Sequence, residues 1–340
     1  MPGVAERKSV KSVVNNFSGS VAVIDLGSNS IKVLVAARGA DGRLTALHQH
    51  TIEARISAGI GGAVPRLSEE GMTRGLLAVQ TLLDSVAPFS PARIAIVATS
   101  AVRDAANGAE FRARLRTVTG HGVRLLSGDE EANLIGAGLT CDPDLAGLRD
   151  FTVFDLGGGS LECLSFRNGK LHQEVSLPLG CVRMMEKFSS DPDAAFPAVA
   201  AAALASHVKE QLVASGFPLA LPADGSAIGT GGTFTTARAI LAARTRVGFE
   251  QSDPILHLAA LRELEFVGQL PLAERRAIAG LPAGRADIFP VALVTVLALA
   301  ELGGYREFRQ SAYNLRWGVA AELFGQCDQQ GNAAAFDRPS

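Results

Sequence analysis

VIDLGSNSIKVLVA at residues 23–36 and VFDLGGGSLECLSF at residues 153–166 align without a gap. Asp25 falls on Asp155, Leu26 on Leu156, Gly27 on Gly157 and Ser30 on Ser160. In each copy, apolar runs rich in β-branched residues flank a short Gly- and Ser-rich segment, the pattern of strand, tight turn, strand. Gly39 and Gly169 also coincide, at the point where each second strand would turn. Self-similarity over such a distance takes priority over local readings, and here it predicts two related domains built by internal duplication.

The rest of the chain fits that plan. Its 340 residues exceed one ordinary core and suit two domains of about 150 residues each. Residues 67–83 have helical apolar spacing after a Ser68 cap with Glu69 and Glu70 in the first turn. A strand follows at 93–99, then a break at Asn107-Gly108, a helix at 109–119 and a strand at 123–126. Ser127 with Glu130 three residues on is a capping-box start for a helix to about residue 138. Beyond the second copy come Ala-rich helices at 194–213 and a strand at 227–228. That strand leads into Gly229-Thr230-Gly231-Gly232-Thr233, which opens a helix through residue 240. Strands alternating with helices indicate an α/β fold. The expected division is a disordered segment 1–17, a first domain 18–135 completed by a C-terminal helix at 312–326, a second domain 136–311, and a disordered tail 327–340.

Composition narrows the class. Hydrophobic residues make up 47% and charged residues 19% of the chain, which excludes wholesale disorder. The most apolar run, residues 291–300 after Pro290, is half the length of a bilayer-crossing helix and reads as a buried core helix. Arg7, Lys8 and Lys11 are followed by no apolar run or cleavage site, so a cytoplasmic protein without a membrane partner is expected. Cys141, Cys163, Cys181 and Cys327 form no C-x-x-C pair and have no His at zinc spacing, and are read as reduced structural thiols. A net charge of −2 argues against a nucleic-acid partner. Residues 1–135 carry 15 basic and 12 acidic side chains against 17 and 22 in the remainder, so the first half is the better host for an anion.

Glycines in a strand-to-strand turn admit positive φ and clear the backbone of side chains, so that successive N–H groups can converge on an oxyanion. Three such turns occur: Gly27, Ser28, Asn29 and Ser30; Gly157, Gly158, Gly159 and Ser160; and Gly231, Gly232 and Thr233. All are candidate phosphate binders. A carboxylate beside phosphate requires a cation between them, so Asp25 and Asp155 are candidate ligands for Mg²⁺ or another divalent cation.

These three turns, in this order, resemble the phosphate loops of the actin, Hsp70 and sugar-kinase superfamily. That resemblance implies two duplicated actin-like (ribonuclease H-like) domains with an interdomain cleft. TSAVRDAANGAEF (99–111), SGDEEANLIGAG (127–138), DLGGGSLE (155–162), SLPLGCVR (176–183) and GLPAGRADIFP (280–290) together resemble the exopolyphosphatase and guanosine pentaphosphatase (Ppx/GppA) family, in its short two-domain form, over about residues 21–324. In that family the glutamate before Ala in G-x-E-E-A is the general base, which corresponds to Glu131. The residue reading agrees: with Glu130 folded back on the cap, Glu131 is left free at a helix start that favours anions. Arg103 matches the family arginine of T-x-A-x-R-x-A and could grip a phosphate with two prongs. Glu162 matches an acid near metal and water. The implied reaction is attack of water on a terminal phosphorus of polyphosphate or guanosine pentaphosphate (pppGpp), helped by Mg²⁺. Where the family shows S-[DE]-x-G-L-R-E-G, this chain has Ser311-Ala312-Tyr313-Asn314-Leu315-Arg316-Trp317-Gly318, so a ligand role for that segment does not carry over. A noncatalytic sensor of polyphosphate or an alarmone, and an ATP-dependent kinase, are the competing readings. Whether two copies join as a homodimer to extend a binding channel is left open.

Overall fold

In the first hairpin β1 (Ser20–Leu26) returns as β2 (Ile31–Arg38), then β3 (Leu44–Ile52) adds alongside. The structure is a computed structural model, and it describes residues 19–336 apart from 59, 61–63 and 223, with the side chains of 327–336 not described. The expected disordered segment 1–17 lies outside the described residues. Helix α1 (Glu69–Val86) starts where Ser68 Oγ accepts from Gly71 N at 3.0 Å, and its buried residues Met72, Val79 and Leu82 recur at helical spacing. It leads to β4 (Arg93–Ala98), the short α2 (Ser100–Asp104), α3 (Gly108–Thr119) and β5 (Val123–Leu125). Helix α4 (Gly128–Leu139) carries the expected capping box, with both the Ser127 and the Glu130 hydrogen bonds present.

The second half repeats the sequence of elements. β6 (Phe151–Leu156), β7 (Leu161–Arg167) and β8 (Lys170–Leu177) form a meander, followed by α5 (Cys181–Phe188), α6 (Ala198–Ala214), β9 (Ser226–Thr230) and α7 (Gly231–Thr245). The edge strand β10 (Ile255–His257), the apolar α8 (Phe289–Gly303), β11 (Glu307–Gln310) and α9 (Leu315–Phe336) complete the chain. Sheet one has the order β3-β2-β1-β4-β5 and sheet two β8-β7-β6-β9-β11, with β10 added at the edge. In both, the first three strands are antiparallel and the next two run parallel to the first. The two sheets therefore share one topology, that of the actin-like fold.

Strand alternation builds three cores. On β1, Ala22, Ile24 and Leu26 face an outer core with α1, whereas Val21 and Val23 face a central one. On β6, Phe154 and Leu156 face the α5–α8 side, and Phe151 and Val153 the centre. The central core holds α4 and the first turns of α9 between the sheets, through Ile135, Leu139, Val319 and Leu323. These helices cross at glycine: a Cβ on Gly318 would overlap the carbonyl of Leu134, and one on Gly138 that of Asn314. The last helix departs from expectation. The expected helix covers 312–326 with a disordered tail at 327–340, whereas the observed one runs Leu315–Phe336. Residues 337–340 lie outside the described residues.

Candidate active site

Both aspartates inherit their aim from the strand period. Asp25 is in step with Val21 and Val23, and Asp155 with Phe151 and Val153, so each points from the end of its strand into the space between the sheets. Lys32 is opposite Asp25 on the neighbouring strand, and Glu162 is opposite Asp155. The cleft is lined by these four residues together with Gly27, Ser28, Asn29, Ser30, Gly157, Gly158, Gly159, Ser160, Gly231, Gly232 and Glu131.

The turns are anchored from behind. Arg55 N donates to Asn29 O at 2.8 Å and Ser57 N to Ser28 O at 3.3 Å. For the second turn α5 does the same work: Cys181 N donates to Gly157 O at 3.0 Å, Val182 N to Gly158 O at 2.9 Å, and Arg183 Nε to Gly159 O at 3.1 Å. With their carbonyls engaged away from the cleft, the turns keep N–H groups for an oxyanion. They also touch each other. A Cβ on Gly158 would lie 2.8 Å from that of Ser28, and one on Gly159 2.7 Å from Ser28 Oγ, so glycine is required for the two turns to meet. The third turn is the N-terminus of α7, where Gly231 has φ +85 and any side chain would overlap Asp155 Oδ1. Helix starts at α4, α7 and α9 converge on the same space and favour negative charge there.

Glu131, only 6% exposed, occupies the first turn of α4. Arg103 Nη1 donates to its Oε2 at 3.1 Å and to Leu126 O at 2.9 Å. Burial, and then the neighbouring Glu162, hold the Glu131 carboxyl well above the ordinary range against the pull of Arg103. Burial, and then Asp155, push Glu162 up to about 7, although it accepts from Ser176 Oγ at 2.9 Å. Asp155 is raised to about 6 by burial, partly offset by Lys32. Asp25 is also raised by burial, and its Oδ1 is buried without a partner. Burial, followed by Arg316, lowers Lys32 to about 8.

Two predicted residues sit elsewhere than expected. Arg103 does not line the cleft; it backs Glu131. Thr233 is buried behind the third turn, donating to Leu156 O at 3.4 Å and accepting from Arg285 Nη2 at 3.5 Å. Three cations were not anticipated as site residues: Lys32, Arg285 and the buried Arg316. The repeat carries a signal for the first, since Lys32 aligns with Glu162 as a reversal of charge within otherwise similar segments. Arg285 and Arg316 stand inside strings that sequence reading had singled out, but nothing local says that they face a cavity. Beyond these cations the cleft opens into a second chamber, bounded by Gln49, Thr51, Phe249, Glu250 and Gln310. Arg238 braces its wall, donating to Gln310 Oε1 at 2.9 Å and to Ser252 O at 2.7 Å and lying over the Phe249 ring.

The donor chemistry suits a hard divalent ion, since carboxylate oxygens converge and Asp25 Oδ1 has no other partner. Among the described residues no group of three or more His, Cys, Asp or Glu could hold a metal alone. An ion here would therefore complete its shell with phosphate oxygens and water, as Mg²⁺ does in phosphoryl-transfer sites. No helix among the described residues is long and apolar enough to cross a membrane.

The family model described as Ppx/GppA phosphatase matches residues 34–326. Among solved structures, the chain is similar to an exopolyphosphatase from Cytophaga hutchinsonii, with 22% identity and a TM-score of 0.79 over 91% of this chain and 98% of that one. It is also similar to the Ppx/GppA family member of Aquifex aeolicus, at 23% identity and a TM-score of 0.71 over 91% and 98%. These likenesses establish the shared fold. The chain belongs to the Ppx/GppA phosphatase family.

Proposed function

With that membership as premise, we propose that the chain hydrolyses the terminal phosphoanhydride bond of inorganic polyphosphate, of guanosine pentaphosphate, or of both. The observation that carries this reading is the placement of Glu131, a buried carboxylate held by Arg103, in the wall of a cleft formed by three glycine turns and two aspartates. The N–H groups of the turns grip the terminal phosphate. Lys32, Arg285 and Arg316 line the path beyond and neutralise the phosphates that follow. Glu131 accepts the proton of a water aimed at the terminal phosphorus, and its raised proton affinity makes it a stronger base than an exposed glutamate. Arg103 fixes the direction of that carboxylate. Asp25 and Asp155 would hold Mg²⁺, which supplies offsetting charge to the phosphoryl oxygens.

The second chamber favours a nucleotide among the substrates. Away from Lys32, Arg285 and Arg316 its lining is neutral or acidic, and Gln310 Nε2 is buried without an acceptor, which suits the hydrogen-bonding end of a nucleoside. The sensor reading draws on the departures from the family pattern at 312–317: Trp317 is 4% exposed in the central core and does not line the cleft, whereas Ala312 and Asn314 do line it.

The test is phosphate release from long-chain polyphosphate and from guanosine pentaphosphate with Mg²⁺. Glu131→Gln keeps the shape and removes the base, and should lower kcat by about 10²–10⁴-fold. Release at an unchanged rate in that variant would remove Glu131 from the mechanism.

A further inference from the structure

Four charged groups of alternating sign link the second phosphate turn to the base across the gap between the lobes. Arg183, on α5 of the second lobe, donates from Nε to Gly159 O at 3.1 Å and pairs through Nη2 with Asp104 Oδ2 of the first lobe at 2.6 Å. Asp104 Oδ1 stands 3.7 Å from Arg103 Nε, and Arg103 Nη1 donates to Glu131 Oε2 at 3.1 Å. The chain of contacts thus begins on a turn that grips phosphate and ends on the carboxylate that takes the proton of water.

Building on the function proposed above, we propose that Arg183 and Asp104 are positioning residues that align Glu131 only when the two lobes are closed. The reasoning is electrostatic and geometric. Arg103 has two carboxylates within reach, Glu131 on one side and Asp104 on the other. When Arg183 is in place it engages Asp104, and the guanidinium of Arg103 is left directed at Glu131 and Leu126 O. When the lobes separate, Arg183 departs with the second lobe. Asp104 then has Arg103 as its remaining partner, competes for it, and loosens the carboxylate of Glu131. A misplacement of this kind is costly because proton abstraction depends on direction as well as distance. Arg183 also braces the turn itself, so that the same side chain reports whether the second turn is seated. Hydrolysis is in this way coupled to closure, and an open enzyme does not present an aligned base to water.

The experiment compares Asp104→Asn, Arg183→Met, the double variant and the conservative Arg183→Lys. The expected result is a fall in kcat of about tenfold in Arg183→Met, with KM changed less than about threefold, whereas Asp104→Asn, which removes the competing carboxylate together with the ion pair, should keep kcat within about threefold of the native value. The double variant should be faster than Arg183→Met, and Arg183→Lys should recover part of the rate. Losses confined to KM, an unchanged kcat in Arg183→Met, or effects that multiply in the double variant would overturn the proposal. Small-angle scattering of the same proteins gives a readout independent of turnover: Arg183→Met and Asp104→Asn should enlarge the particle as the lobes separate, and dimensions equal to the native protein's would count against it. If the native chain releases no phosphate, the function proposed above fails while the scattering still decides whether this ion pair closes the lobes.

Discussion

At the scale of the residue, the site concentrates carboxylates that burial makes reluctant to ionise. Glu162 is the clearest case: it sits opposite Asp155, 2% exposed, with its pKa raised to about 7. Between the ordinary carboxylate range and that value the folded chain binds a proton that the unfolded chain has released. Stability from this group is therefore full below the unfolded pKa and is lost as pH rises through about 7. Thermal unfolding of the protein in a chelator should fall in midpoint as pH increases from 5 to 8. Glu162→Gln, which keeps an acceptor for Ser176, should flatten that fall; a variant whose midpoint tracks the native protein across the range would show that Glu162 is not the group responsible. The presence of Asp25, Asp155 and Glu131 at the cleft was legible beforehand, the aspartates from a repeat and Glu131 from the family resemblance together with a capping box. Lys32, Arg285 and Arg316 were not, because their importance comes from facing one cavity and not from any spacing along the chain. Thr233 shows the converse: a hydroxyl beside two glycines invites a phosphate role, yet the helix that begins at Gly231 turns it inward.

At the scale of the element, the site is a product of how strands and helices end. β1 and β6 deliver an aspartate each, and α4, α7 and α9 deliver N-termini, because the duplicated topology places those ends on one side of both sheets. The distance between the sheets is governed by the crossing of α4 and α9, where Gly318 lies against the backbone at Leu134. Gly318→Ala should force the helices apart and cost about 1–3 kcal/mol, measurable by denaturant unfolding. An unchanged midpoint would mean that the crossing accommodates a methyl group. Hairpins, capped helices and the core helix were readable because each carries a local signature. By contrast β8 and α5 went unread. β8 is an edge strand of mixed exposure with little alternation, and α5 spans about two turns, too short for periodicity to declare itself. The extension of α9 to Phe336 was missed for a related reason, since residues beyond 326 have no apolar pattern to mark them.

At the scale of the whole molecule, two lobes of one topology meet along turns that touch, and ion pairs fasten them on both flanks. Arg55 reaches Asp287 with two hydrogen bonds at 2.6 and 2.7 Å, while Arg183 reaches Asp104 on the other side. In the hydrolysis proposed above, the cleft between the lobes has to hold one water within reach of Glu131. The claim that water, guided by Glu131, attacks the terminal phosphorus is open to one direct measurement. Turnover in water enriched in ¹⁸O, followed by mass analysis of the released phosphate, should show one solvent oxygen in each phosphate and none in the shortened substrate. Label in the shortened product and unlabelled phosphate would place the attack on the neighbouring phosphorus, and contradict the geometry argued from the three turns.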